Sequence, residues 1–199
     1  MLRSAERPYA RLALALLLAA GFGVAMSVFK GNGAGVRSDI GNLSAPWLLV
    51  PFFAAAALPG RRAYAGAAVG AAATCVALSA FYVANAFVLD LGPHGWTEDL
   101  QLAFATHWFL WGLVSGPVFG VIGAGWRRRG CSYAGIAVTA LLVAEPVFWA
   151  LARRAGGVDS FAFEPSAGVS AGEVAVGVLA CACMAVAVDR ARRRPAPIR

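Results

Sequence analysis

The residues most able to take part in binding or catalysis are a few polar side chains inside the apolar segments of the sequence. Glu145, followed by Pro146, lies within the apolar segment 133–152. At this depth in a bilayer an ionised carboxylate is costly, so Glu145 must be protonated, paired or hydrated. We therefore expect a polar, ligand-binding pocket around it that opens outward. The candidate site residues are Glu145, His107, Asn85, Tyr82, Arg153 and Glu173.

The same side chains have a simpler interpretation as a hydrogen-bonded cluster that only fixes helix packing. Catalysis has less support, because Ser115 and His107 are eight residues apart on one predicted helix, about 12 Å, too far for a nucleophile and its base. The sequence has no GxSxG or HExxH motif. His107 and Glu145 could begin a metal site, but such a site needs further ligands. We predict no catalytic residue, no metal site and no cofactor.

Composition indicates the class of protein that must position these residues. Of the 199 residues, 60% are hydrophobic and 14% are charged, whereas soluble domains have about 25% charged residues. The net charge of +7 lies at the ends of apolar segments and not along one face, which argues against nucleic acid as a partner. The four cysteines form no CxxC pair and three lie in apolar segments, so we interpret them as buried small hydrophobic residues.

One stretch, residues 107–129, has the clearest membrane signature. It has no charge from Trp108 to Trp126, and nineteen helical residues nearly cover the roughly 30 Å hydrocarbon core of a bilayer. Small residues occupy every fourth position, at Gly112, Gly116, Gly120 and Ala124. This face is expected to admit a neighbouring helix, within the chain or in a second copy. Pro117 removes a backbone donor, so a kink or hinge is expected there.

Six apolar segments predict an all-α, polytopic transmembrane helix bundle that forms one integral membrane domain over residues 1–199. The predicted helices cover residues 12–29, 45–58, 64–89, 104–126, 133–152 and 171–188. The Gly- and Asn-rich segment 30–44 is predicted to be a loop. The first helix is interpreted as an uncleaved anchor, because its eighteen apolar residues exceed the roughly 7–15 of a signal peptide.

The distribution of positive charge predicts the orientation. Thirteen of the 17 Lys and Arg residues lie in the N-terminal segment, in the loops after the second and fourth predicted helices, and in the C-terminal tail. By the positive-inside rule both termini are then cytoplasmic. Sixteen arginines against one lysine, among many Ala and Gly residues, are typical of a high-GC bacterial genome. We therefore predict a multi-pass protein of the bacterial cytoplasmic membrane.

Three short motifs resemble those of a known family. They are the segment NLSAPWLL at residues 42–49, the Trp111-Gly112 pair with the Gly116-Pro117-Val118-Phe119-Gly120 run, and Ala144-Glu145-Pro146. Together they resemble an uncharacterised family of small bacterial membrane proteins, a domain of unknown function, along nearly the whole chain. The resemblance implies a six-helix architecture and supplies no activity or site residue.

Three classes of function remain open from the sequence. The first is binding or permeation of a small ligand through the pocket around Glu145. The second is the substrate-capture membrane subunit of a multi-subunit importer, whose first helix would dock a partner subunit through the small-residue face from Ala15 to Ala19. The third is a membrane enzyme acting on a lipid or isoprenoid, with Glu145 and His107 as acid and base. The expected partners are the lipid bilayer, a small-molecule ligand and, in the second class, other membrane subunits.

Overall fold

A computed structural model describes residues 6–31, 35–58, 62–88, 108–129, 132–154 and 166–192. Its elements over these ranges are all α-helices, as predicted. They are α1 (Glu6–Lys30), α2 (Val36–Asn42), α3 (Ala45–Ala56), α4 (Ala63–Val88), α5 (Trp108–Arg129), α6 (Ser132–Thr139), α7 (Leu141–Arg154) and α8 (Ala167–Arg192).

Four of these helices are long and apolar enough to cross a membrane. The candidate spans are Tyr9–Lys30, Ala63–Phe87, Trp108–Trp126 and Ala167–Val186, and two shorter apolar helices cover Ala45–Ala56 and Gly135–Phe148. At most 33% of the most apolar window of any candidate span is buried inside the protein. Large apolar side chains such as Leu17 and Leu179 point outward. An apolar exterior of this extent suits lipid and not water, in agreement with the predicted membrane class.

The helices form two packed groups. In the first group α4 lies between α1 and α5, and α3 packs against α4 and α5. In the second group α6 and α7 pack on α8. Contacts from α5 to α6, from α3 to α6 and α7, and from α2 to α8 join the groups.

The core between α1, α3 and α4 consists of small side chains. Its buried members are Ala15, Ala19, Ala54, Ala73 and Ala77. Gly23 completes the α1–α4 contact, since a Cβ atom there would collide with the backbone carbonyl oxygen of Ala77. Small residues allow such close approach, which lets dispersion forces act between backbones. The Ala15–Ala19 face, considered above as a docking surface for a partner subunit, is therefore covered by the chain's own α3 and α4.

The small-residue face of α5 packs within the chain. A Cβ atom added to Gly120 would collide with the backbone oxygen of Gly66, and one added to Gly70 would collide with that of Gly116. Thr74 lies against both Gly112 and Gly116. The small-residue face of α5 thus forms an interface within the chain and not between two copies of it.

Helix α3 is short and contains two prolines. Its 12 residues span about 18 Å, less than a bilayer core. Pro46 is in its first turn and Pro51 lies buried inside it. Phe52 packs its backbone against Gly123 of α5 and its ring 5.3 Å from that of Trp126, centroid to centroid.

Two details of the predicted secondary structure are wrong. Part of the predicted loop 30–44 is helix α2, in which Asn42 donates a side-chain hydrogen bond to the carbonyl of Ser38. Gly41 of α2 packs directly on Lys30, so tertiary contact with α1 stabilises a helix that local composition disfavours. The predicted helix 133–152 is two helices, interrupted at Ala140. Thr139 precedes the interruption and donates its hydroxyl hydrogen bond to the backbone of its own helix, a pattern that often bends helices.

Candidate functional site

The structure contains an aromatic cavity of about 280 Å³ at the end of the bundle where α1 ends and α3 and α5 begin. Its aromatic lining includes Trp47, Phe81, Tyr82, Trp108 and Trp111, and its polar lining includes Lys30, Asn42, Ser44, Thr74 and Ser115. We refer to this space as the aromatic cavity and to this end of the bundle as the Lys30 end. The volume is at the lower limit for a small-molecule site.

Contacts between the rings hold the cavity wall in place. Trp47 makes edge-to-face contacts with Phe22 and Phe81, with ring centroids 5.2 and 5.3 Å apart. Tyr82 stacks on Phe109 with a centroid separation of 6.1 Å. Aromatic pairs in these geometries are stabilised beyond their area burial. The wall is therefore formed without a ligand.

The cavity ends where α4 and α5 come into backbone contact. Along α4 the lining reaches from Tyr82 to Thr74, and along α5 from Trp108 to Ser115. One turn further, Gly70 lies against the backbone of Gly116. The small-residue face of α5 thus forms the floor below the aromatic cavity.

Lys30 is the one lysine of the sequence and the charged residue of the cavity lining. It is half-buried, and its Nζ lies 5.5 Å from the centroid of the Phe81 ring, a cation–π distance. No ion pair with a carboxylate of the described residues is formed. Its ammonium group is thus available to an anionic or electron-rich ligand atom.

Glu145 has a partner that the sequence analysis did not consider, the N-terminus of α3. The backbone N–H of Ser44 donates to its Oε1 at 2.8 Å, and the backbone N–H of Ala45 donates to its Oε2 at 2.6 Å. Ser44 is the N-cap residue of α3, and its own side chain makes no capping hydrogen bond. A carboxylate at a helix N-terminus satisfies unpaired donors and offsets the positive end of the helix dipole. Glu145 therefore caps α3 from α7.

Glu173 lies on α8 beside Glu145. The residue is 6% exposed, and Glu145 is an electrostatic neighbour of its carboxyl group. Neither carboxylate oxygen of Glu173 accepts a hydrogen bond from the described residues, and Glu145 is close enough to share a proton with it. A second link between the two helix groups lies just before α8, where the backbone N–H of Ser166 donates to the carboxylate of Asp39 on α2 at 2.9 Å.

The predicted site residues therefore fall into separate places. Glu145 and Glu173 come together, whereas Tyr82 lines the aromatic cavity. Asn85 is buried on α4 and is not in the cavity lining. His107 and the side chain of Arg153 lie outside the described residues. Within the described residues no group of three or more His, Cys, Asp or Glu side chains could hold a metal ion.

Sequence reasoning did not identify Trp47, Lys30 or Trp111 as site residues. Trp108 and Trp111 lie near a helix end, where tryptophan usually belongs to an aromatic belt at the membrane surface. A signal was present at Lys30, a lone lysine among sixteen arginines at the end of an apolar helix. The position of Trp47 in the cavity depends on how α3 is held, which the sequence does not show.

Comparison with known proteins assigns the chain to a family but identifies no similar protein of known activity. A search of curated proteins and a search of solved structures gave no match. A family model matches residues 2–197, nearly the whole chain. The earlier resemblance to an uncharacterised family is thereby confirmed: the chain belongs to DUF6518, a family of unknown function.

Proposed function

We propose that this protein binds a small, mainly apolar ligand in the aromatic cavity, from the outer side of a bacterial cytoplasmic membrane. Five aromatic side chains around one unpaired lysine support this proposal more than any other observation. Ligand sites are typically apolar, largely preformed and furnished with a few polar groups. A flat aromatic ligand with an anionic group near Lys30 fits this lining best.

The orientation follows from the charge pattern. The proposed topology has six membrane segments, with the four long helices supplemented by the short apolar helices Ala45–Ala56 and Gly135–Phe148. With both termini cytoplasmic, the arginines at the start of α4 and at the end of α5 face the cytoplasm. The Lys30 end, and with it the aromatic cavity, then faces outward.

Binding has better support than permeation or catalysis. The close contact of Gly70 with Gly116 leaves no continuation of the cavity between α4 and α5. Both oxygens of Glu145 are engaged by backbone donors, which disfavours its use as a general acid. The importer alternative loses one supporting feature, since Ala15 and Ala19 of the expected docking face are buried.

The test uses native mass spectrometry of the protein purified gently from its own host. We expect a retained small molecule that is lost in Phe81→Leu and weakened in Lys30→Met. The matched control is Phe87→Leu, because Phe87 lies on the same helix but is 78% exposed and outside the cavity lining. Retention that is equal in the Phe81 and Phe87 variants, or absence of any small molecule from the unaltered protein, would contradict the proposal.

A further inference from the structure

A group of buried oxygen atoms on α8 is not explained by ligand binding in the aromatic cavity. Both carboxylate oxygens of Glu173 are buried and accept no hydrogen bond from the described residues, and Oγ of Ser170 is buried without a partner among them. Only a proton shared with Glu145 could give Glu173 a hydrogen bond within the described residues. Ser170 precedes Glu173 by three positions, so the two side chains share one face of the helix. Buried polar atoms nearly always have a partner, and an orphaned set indicates an unseen water or ion.

The charges around this group do not balance. The charge of Glu145 is offset by the backbone N–H groups of Ser44 and Ala45 and by the positive end of α3. Glu173, beside it, has no such donor. On α2, Asp39 is engaged with Ser166, and Arg37 donates to the carbonyl of Val28. An ionised Glu173 would therefore leave one negative charge uncompensated in a buried place, which is costly unless a proton or a cation joins it.

We propose that Glu173, Glu145 and the Ser170 hydroxyl bind a monovalent alkali cation, such as Na⁺, between α7 and α8. A proton shared by the two carboxyl groups would satisfy one oxygen and leave the second oxygen of Glu173 and that of Ser170 unpaired. A cation contacts several oxygens at once. The donor set is oxygen only, which suits hard cations, and a single positive charge completes the balance.

The cation site is joined to the rest of the molecule through Glu145. The same carboxylate holds the N–H of Ser44, and Ser44 lines the aromatic cavity. The inference does not depend on the proposed ligand, because its contacts belong to α7 and α8.

The experiment measures thermal unfolding of the purified, detergent-solubilised protein at fixed pH, with NaCl exchanged for N-methylglucamine chloride at constant ionic strength. We expect the melting temperature to rise with Na⁺, by roughly 5–10 °C at about 100 times the dissociation constant. Glu173→Gln should abolish this rise and Ser170→Ala should reduce it. Asp39→Asn is the matched control, since it removes a capping carboxylate at the same end of the bundle and should keep the full response to Na⁺.

An unaltered protein that does not respond to Na⁺ would overturn the proposal, and this measurement needs no variant to fold. An equal response in Glu173→Gln and in the unaltered protein would also overturn it. If neither responds and Glu173→Gln is as stable as the unaltered protein, the two carboxyl groups share a proton instead. Loss of ligand from the aromatic cavity leaves these outcomes unaffected, so the two proposals fail separately.

Discussion

Glu145 accepts hydrogen bonds from the main chain of α3, which lies 100 residues earlier in the sequence. Two short hydrogen bonds from adjacent backbone N–H groups engage both carboxylate oxygens. Charge-assisted bonds of this kind are about twice as strong as neutral ones. The bond from Ala45 is partly buried, so its donor would lose a partner without the carboxylate. At the scale of single residues, a carboxylate in an apolar helix therefore has a structural role that its sequence position alone does not reveal.

We predict that Glu145→Gln destabilises the protein by about 1.5–3 kcal/mol, because the amide keeps one acceptor and loses the charge. Glu145→Ala should cost more, since both donors then remain unpaired. Thermal unfolding in detergent measures the loss, and tryptophan fluorescence should change with it because Trp47 follows the cap by one turn. Unchanged stability in both variants would show that the cap contributes nothing.

At the scale of helices, glycine decides how closely α4 meets its neighbours. Gly70 has the backbone of Gly116 and Gly120 within the space that a Cβ atom would need. Gly21, on α1, has no neighbouring atom within 4 Å of such a Cβ. Both residues are in helices, where alanine is intrinsically preferred to glycine. The two glycines thus differ only in their tertiary surroundings.

We expect substitutions at these two sites to have opposite signs. Gly21→Ala should stabilise the protein by about 0.5–1 kcal/mol through helix propensity. Gly70→Ala should destabilise it by roughly 1–3 kcal/mol, because α4 and α5 must move apart. Melting temperatures of the two variants, compared with the unaltered protein, check the prediction. A stabilising effect at Gly70 would be inconsistent with the packing described above.

At the scale of the whole molecule, two helix groups meet at the Lys30 end through hydrogen bonds of charged side chains. Glu145 joins α7 to α3, and Asp39 joins α2 to the start of α8. The exterior is dominated by apolar side chains, so lipid is the solvent for most of the surface. In such a molecule the orientation in the membrane decides from which side a ligand or cation can enter.

The proposed orientation predicts the labelling of single cysteines in a variant whose native cysteines are replaced by alanine. Val36 is exposed on α2 at the Lys30 end. Val36→Cys should therefore react with a membrane-impermeant thiol reagent in intact cells. Tyr64→Cys, exposed at the start of α4, should react only after the membrane is permeabilised. The reverse pattern would place the aromatic cavity on the cytoplasmic side.

The membrane class and most of the helices could be predicted from the sequence, because both depend on the hydrophobicity and length of local segments. The starts of α3 and α4 agree with prediction to within one residue, and the small residues of α5 indicated an interface. Helix α2 was missed because tertiary contacts stabilise it, among them the packing of Gly41 on Lys30 and the hydrogen bond between Asp39 and Ser166. The interruption at Ala140 also departed from the continuous helix that apolar periodicity predicts.

Sequence by itself determined that this is a helical membrane protein with an unusual carboxylate at Glu145. Only the tertiary structure decided what that carboxylate contacts, because its partners are backbone N–H groups, which every sequence contains. The same holds for the aromatic cavity, in which Lys30, Trp47 and Trp111 come from three helices. Hydrophobic pattern is a local property, whereas a site depends on which helices pack together, and that depends on long-range contacts.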